Sequence, residues 1–283
     1  MRSVYQNDIL ATIKLAHFYK SAFTPQQVRR YMRRKVSQSD FEDQLAQLMS
    51  EGTIWQQDGA LFSADLLELY NQKKTWSRDL FMEHKKLLGW LTRMPWVRFV
   101  ALTGANSFES CRENDDIDLF LITSPKRLWI SYVLLVIFSK LFRRRHVFCL
   151  NYLIDETHLE IRKKDYYTAV QIMQMVPLTN NSLSNRILQS NRWILSILPN
   201  AASALERKPF YHLSSRKFPK ASKFSPMTLL NRAIFSVYSR HLRRKYPMEF
   251  GKGIALSEGV AQLNRVDHHD SYVDIYREIE AAL

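Results

Sequence analysis

The chain has 283 residues, 46% of them hydrophobic, with only 7 glycines and 9 prolines, and its mean hydropathy is −0.29. This composition excludes a disordered or collagen-like chain and suffices for a buried core shared by two or three modules. A formal charge of +14 favours polyanionic partners such as nucleic acid, nucleotides or acidic membrane, and only two cysteines, Cys111 and Cys149, argue against a disulfide framework.

The first ten residues carry no apolar signal core, and a cytoplasmic location is expected. Ile9, Ile13, Ala16 and Phe18 approximate one helical stripe. Thr24-Pro25 then supplies an N-cap with proline at the first helical position of a second helix. A third helix is expected to start at Ser39 or Asp40, to bury Phe41, Leu45 and Leu48, and to end near Gly52. TIWQQDGALFSA follows as a hairpin turning at Asp58-Gly59. Three helices and a hairpin resemble a winged helix-turn-helix. Its second helix and exit loop hold Arg29, Arg30, Arg33, Arg34 and Lys35, while the third helix carries Asp40, Glu42, Asp43 and Glu51. Those acids oppose a phosphate backbone and favour a protein contact over a DNA reader.

Residues 66–95 read as one helix whose buried face is expected to hold Leu66, Leu69, Trp76, Leu80, Leu87, Leu88 and Leu91. Beyond Pro95 comes an apolar strand, Phe99 to Leu102, then the turn Thr103-Gly104-Ala105-Asn106-Ser107. A second apolar strand carries Asp116-Ile117-Asp118. Alternation in a strand sends Asp116 and Asp118 to one face, and Gly104 lets backbone approach a ligand closely. Two carboxylates opposite a small-residue turn suit a divalent cation that carries phosphate.

This order of strand, glycine turn and Asp-x-Asp strand resembles the signature of the DNA polymerase beta-like nucleotidyltransferase superfamily. TSPKRLW (123–129) and FCLNYLID (148–155) are similar to bacterial nucleotidyltransferase domain proteins. The resemblance implies an NMP transfer from an NTP, ATP first among them, to an acceptor that the sequence does not single out, with Mg²⁺ or Mn²⁺ on Asp116 and Asp118. It implies that Gly104, Ala105, Asn106 and Ser107 position phosphates, and Lys126 is a further candidate for the triphosphate. The superfamily's third carboxylate matches Asn151, read on one face with Cys149 and Leu153. An amide takes no proton at neutral pH. Glu160 is the match if the register differs, and Asp155 and Glu156 are nearby acids. Loss of the third acid points to an alternative, a nucleotide-sensing regulator or assembly protein that contacts nucleic acid or a protein.

After the second strand, LWISYVLLVIFSKLF reads as a buried crossover helix, about fifteen residues and short of the roughly twenty needed to cross a bilayer. Its cationic ends, with Arg143-Arg144-Arg145 at the far one, leave shallow membrane association as a minor reading. Residues 156–200 read as helical, with Asn180, Asn181, Asn185 and Asn191 as weak acceptor-facing candidates. Residues 205–226 read as a basic linker, and MTLLNRAIFSVYSRHLRRKY as an amphipathic basic helix. Asp267-His268-His269-Asp270 reads as surface, and a short helix ends the chain. The expected class is α+β: a winged helix-turn-helix (1–68), a nucleotidyltransferase core of mixed β-sheet flanked by helices (69–165) and a mainly helical C-terminal region (166–283). Oligomeric state is not legible.

Overall fold

The computed structural model describes residues 2–142, 147–179, 182–201, 205, 208–213, 226–264 and 269–283. Arg143–Arg145, Asn180, Asn181, Asp267, His268 and most of the basic linker lie outside the described residues.

Three helices come first, α1 (Val4–Phe18), α2 (Pro25–Tyr31) and α3 (Gln38–Ser50), followed by the hairpin β1 (Trp55–Gln57) and β2 (Ala60–Phe62). Ser3 and Thr24 close reciprocal capping boxes with Gln6 and Gln27, which satisfies backbone N–H groups that a helix start leaves unpaired. Two readings of this region change. Ser37 caps α3, accepting from the Asp40 N–H at 3.0 Å, so the helix starts earlier than Ser39 or Asp40 implied. Phe18 leaves the α1 stripe and is 55% exposed. The segment is not a free-standing unit. Asp8, almost fully buried on α1, accepts from Tyr276 Oη at 2.7 Å on α11 (His269–Ala281) and from the Arg34 N–H at 2.9 Å. Arg33 and Arg34, two of the expected phosphate-binding cations, face Glu280 of α11.

The long helix α4 (Leu67–Leu91) follows. Its buried face differs from the leucine stripe. Tyr70, Lys73, Ser77, Phe81, His84, Leu88 and Leu91 point inward at helical spacing, while Leu66, Leu69, Trp76, Leu80 and Leu87 are only partly covered. The apolar pattern misplaced the face because its buried polar members have partners. Lys73 Nζ donates to the Tyr19 carbonyl at 3.0 Å and to Ser110 Oγ at 3.1 Å, and Ser77 Oγ accepts the Cys111 N–H at 2.9 Å.

The central sheet is mixed and six-stranded, in the order β6-β3-β4-β5-β8-β7. Its strands are β3 (Val97–Leu102), β4 (Ile117–Thr123), β5 (Phe148–Asp155), β6 (Val176–Pro177), β7 (Ile254–Leu256) and β8 (Val260–Leu263). β3 and β4 are antiparallel, whereas β4 and β5 are parallel and joined by the crossover helix α6 (Leu128–Leu141). Both faces are covered, which is why β4 reads as an unbroken apolar run. Leu119 and Leu121 join Val100, Leu102 and Leu153 under α4 and α6. Phe120 and Ile122 join Phe99, Ala101 and Ile154 under α7 (Tyr166–Gln174) and the N-terminal helices. Three strands lie beyond residue 165, so the sheet crosses the boundary drawn at 165/166 and the C-terminal region is less helical than expected. Those strands are short, which weakens their periodic signal. The remaining helices are α5 (Gly104–Ser107), α8 (Leu183–Ser190), α9 (Ile194–Ile197) and α10 (Pro226–Lys245). Asn191 is fully buried and bonded to the Ile161 N–H and the Leu159 carbonyl, so it faces no acceptor. No helix among the described residues is long and apolar enough to cross a membrane.

Helix α6 has no side-chain cap of its own. Asn231 on α10, 1% exposed, supplies it: its Oδ1 accepts the Trp129 N–H at 2.9 Å and the Ile130 N–H at 3.3 Å. Asn231→Ala is expected to lower stability by about 1–3 kcal/mol, read as a lower denaturant midpoint at unchanged slope. Asn231→Asp keeps an acceptor at a helix N-terminus and is expected to lose less.

Candidate active site

The site lies where β3 ends and β4 and β5 begin. Gly104, at φ +55°, opens the turn after β3. A Cβ built there would stand 2.2 Å from Asp118 Oδ2, so glycine is required both by backbone and by space. The turn is a single helical turn, α5, braced from several sides. Gln171 Oε1 on α7 accepts the Gly104 N–H at 3.3 Å, and Gln174 Nε2 donates to the Ser107 carbonyl at 3.0 Å. Gln174 Oε1 in turn accepts from Tyr31 Oη of α2, which ties the N-terminal helices to the turn.

Asp116, just before β4, and Asp118, on it, both face a cleft of about 870 Å³. On the neighbouring strand, Asn151 Nδ2 donates to Asp118 Oδ1 at 2.6 Å, and the Cys149 thiol donates to Asn151 Oδ1 at 2.8 Å. The two carboxylates and the Cys149 sulfur present ligand atoms within 4.8 Å of one another. Burial raises both carboxyl pKa values, and neighbouring acids add to it. Asp118 is pushed up to about 7 by burial, then by the charges of Asp116 and Asp115. Asp116 is raised by burial and Asp115. Burial and the same two carboxylates push the Cys149 thiol up to about 12. Repelling carboxylates with a protonated thiol beside them describe a place where a cation lowers the electrostatic cost.

The cleft walls have the opposite character. Lys163, His241 and Lys245 line it together with Tyr152, Tyr167 and Tyr238. On α10, Tyr238, His241, Leu242 and Lys245 recur at i, i+3, i+4 and i+7, one face of a helix that contains no acid. That periodicity was legible in the basic helix, but the partner across the cleft was not.

Several expected site residues stand elsewhere or serve other roles. Ala105 sits in the turn and does not line the cleft. Asn106 and Ser107 are buried in local bonds: Asn106 Nδ2 donates to the Asp116 carbonyl at 2.9 Å and Ser107 Oγ to the Gly104 carbonyl at 2.9 Å. They shape the turn, and the expectation that their side chains meet phosphate is corrected. Lys126 is exposed beyond the far end of β4, roughly 17 Å along the strand from Asp118, too far to reach a phosphate held there. Its N–H donates to Asp155 at 3.1 Å. Glu160 is fully exposed, pairs with Lys164 at 2.7 Å and borders a separate depression with Glu156 and Arg186, so it is no third carboxylate. Asp155 is buried and organises the loop after β5 by accepting from Thr157 and His158. Leu153 points into the opposite core because the β4–β5 register shifts between Asp118 and Phe120, which separates it from Cys149 and Asn151.

Two changes test this geometry. Gly104→Ala is expected to cost about 2–4 kcal/mol, from left-handed backbone strain plus the collision with Asp118, and to appear as a lowered melting temperature. Asp118 holds its proton more tightly folded than unfolded, so its contribution is complete below the unfolded pKa and is lost as pH rises through about 7. In metal-free buffer, Asp118→Asn is expected to melt above the wild type at pH 8, by about 2–4 °C, with the gap closing near pH 4. Equal melting of the two proteins at both pH values would contradict the buried, repelled carboxylate. No family model, curated protein or solved structure matches the chain, and the case for what the site does rests on its own chemistry.

Proposed function

We propose that the chain is a divalent-cation-dependent nucleotidyltransferase, moving an NMP from an NTP to an acceptor and releasing pyrophosphate. One observation carries this reading: two half-buried carboxylates that repel each other sit against a glycine turn at the foot of a cleft whose walls are basic and aromatic. Hard carboxylate oxygens fit Mg²⁺ or Mn²⁺, ions for which soft sulfur is a poor ligand. Asp116 and Asp118 would hold it, and the cation would neutralise charge developing on the transferring phosphate. Lys163, His241 and Lys245 suit the polyphosphate, and Tyr152, Tyr167 or Tyr238 a base.

In the transfer, an acceptor oxygen attacks the α phosphorus, the bond from that phosphorus to the bridging oxygen breaks, and pyrophosphate leaves with the electron pair. Among the described residues lining the cleft no third carboxylate stands ready as a base, and His241 is the imidazole that can take a proton. Asp116 and Asp118 are the only acids among the described residues lining the cleft, and Asn151 spends its amide on Asp118. An acceptor whose attacking oxygen is already ionised, such as a phosphate, needs no base; a hydroxyl gives its proton to His241 or to water. The same observation favours a second reading, a nucleotide sensor without turnover. The N-terminal helices and hairpin, read as a winged helix, then serve as the output surface, with the exposed acids Asp40, Glu42 and Asp43 favouring a protein contact.

Incubation with each α-labelled NTP and Mg²⁺, with RNA, protein and small-molecule extracts as acceptors, is expected to transfer label. Asp116→Asn and Asp118→Asn are expected to reduce that transfer by about 10²-fold or more, the scale of lost charge stabilisation at a reacting centre. Mg²⁺-dependent NTP binding without transfer selects the sensor. If no NTP binds or reacts, both readings fail.

A further inference from the structure

An apolar surface patch lies outside the lining of the cleft. At the C-terminal ends of α4 and α6, Trp90 is 51% exposed, Ile137 56%, Leu141 75% and Phe142 37%. The aromatic members form one cluster: Trp90 lies 5.3 Å from Phe142 and 6.4 Å from Phe138 between ring centroids, and Phe138 lies 4.8 Å from Phe142. Solvated aromatic and aliphatic groups gathered this way normally mark a surface that meets an apolar partner.

The two helix ends also carry cations. Exposed Lys86, Arg93 and Lys140 stand on the same two helix ends. The sequence contains no Asp or Glu from residue 84 to 108 or from 119 to 154, and Arg143-Arg144-Arg145 follow in the sequence. A nucleic acid would satisfy the cations and leave Ile137 and Leu141 in water. An uncharged apolar partner makes no use of Lys86 and Lys140. A bilayer with anionic headgroups meets both requirements, taking aliphatic and aromatic side chains at the acyl boundary and cations at the phosphate level. The patch is too small to span, in keeping with the absence, among the described residues, of a membrane-crossing helix.

We propose that the ends of α4 and α6 form a docking surface for an anionic phospholipid bilayer, on which the protein rests peripherally. The proposal is independent of nucleotide transfer. It is tested by co-sedimentation of the full chain with vesicles of phosphatidylcholine alone and of phosphatidylcholine mixed with phosphatidylglycerol, at low and high salt. The wild type is expected to bind the mixed vesicles, to release them as salt rises, and to leave the neutral vesicles largely unbound. Leu141→Glu combined with Ile137→Glu is expected to weaken binding about tenfold or more, since it removes apolar contacts and adds repelled charge. Lys140→Glu, a change at a solvated position, reads the electrostatic half separately, and thermal melts confirm that each variant is folded. Three results overturn the proposal: no capture by the mixed vesicles; capture that the Leu141 and Ile137 changes leave intact; or self-association that those changes abolish in a protein that never binds vesicles, which would assign the patch to a contact between copies of the chain.

Discussion

The close approach of Gly104 to Asp118 is the constraint on which the rest of the site depends. β3 and β4 pair antiparallel, so the turn that leaves β3 must pass over the residue opposite the strand's end, and that residue carries a carboxylate. A residue with a Cβ would be strained at the left-handed φ of Gly104 and would collide with Asp118. The polar side chains of the turn are consequently spent on holding it. Asn106 and Ser107 bind backbone carbonyls on either side, and Gln171 and Gln174 approach from α7.

The carboxylates are held in an unfavourable state, and the fold tolerates this through the surrounding network. Asn151 donates to Asp118 and is itself held by the Cys149 thiol, which offsets part of the burial cost without supplying positive charge. The lysines of the cleft stand on elements other than those of the acids, Lys163 after β5 and Lys245 at the end of α10, so one cleft is lined by both signs. A cation joined to a polyanion matches such a lining better than either alone, and this complementarity is the physical content of the nucleotide reading.

Long-range ties bring the ends of the chain to this centre. Tyr31 reaches Gln174, Asp8 reaches Tyr276, and Asn231 caps α6. Each joins residues distant in sequence through a buried polar group with a partner. Loss of one such tie leaves a desolvated donor or acceptor behind, so these bonds couple the helical layers to the sheet more firmly than their number implies.

The sequence by itself determined the local parts. The glycine turn, the Asp-x-Asp strand with its period-2 alternation, the crossover helix and the Asp58-Gly59 hairpin follow from short-range sterics and patterning, which act within a few residues. The tertiary structure decided what requires distant partners. The inward face of α4 was misread because Lys73 and Ser77 are buried with acceptors and donors from other segments. The opposed facing of Asn151 and Leu153 depends on a register shift against β4, which no single strand's pattern contains. The strands β6, β7 and β8 are too short to carry periodicity. Glu160 and Lys126 have suitable chemistry, but position excludes them from the site. Cys149 and the cationic face of α10 enter it because the sheet and helix packing bring them there.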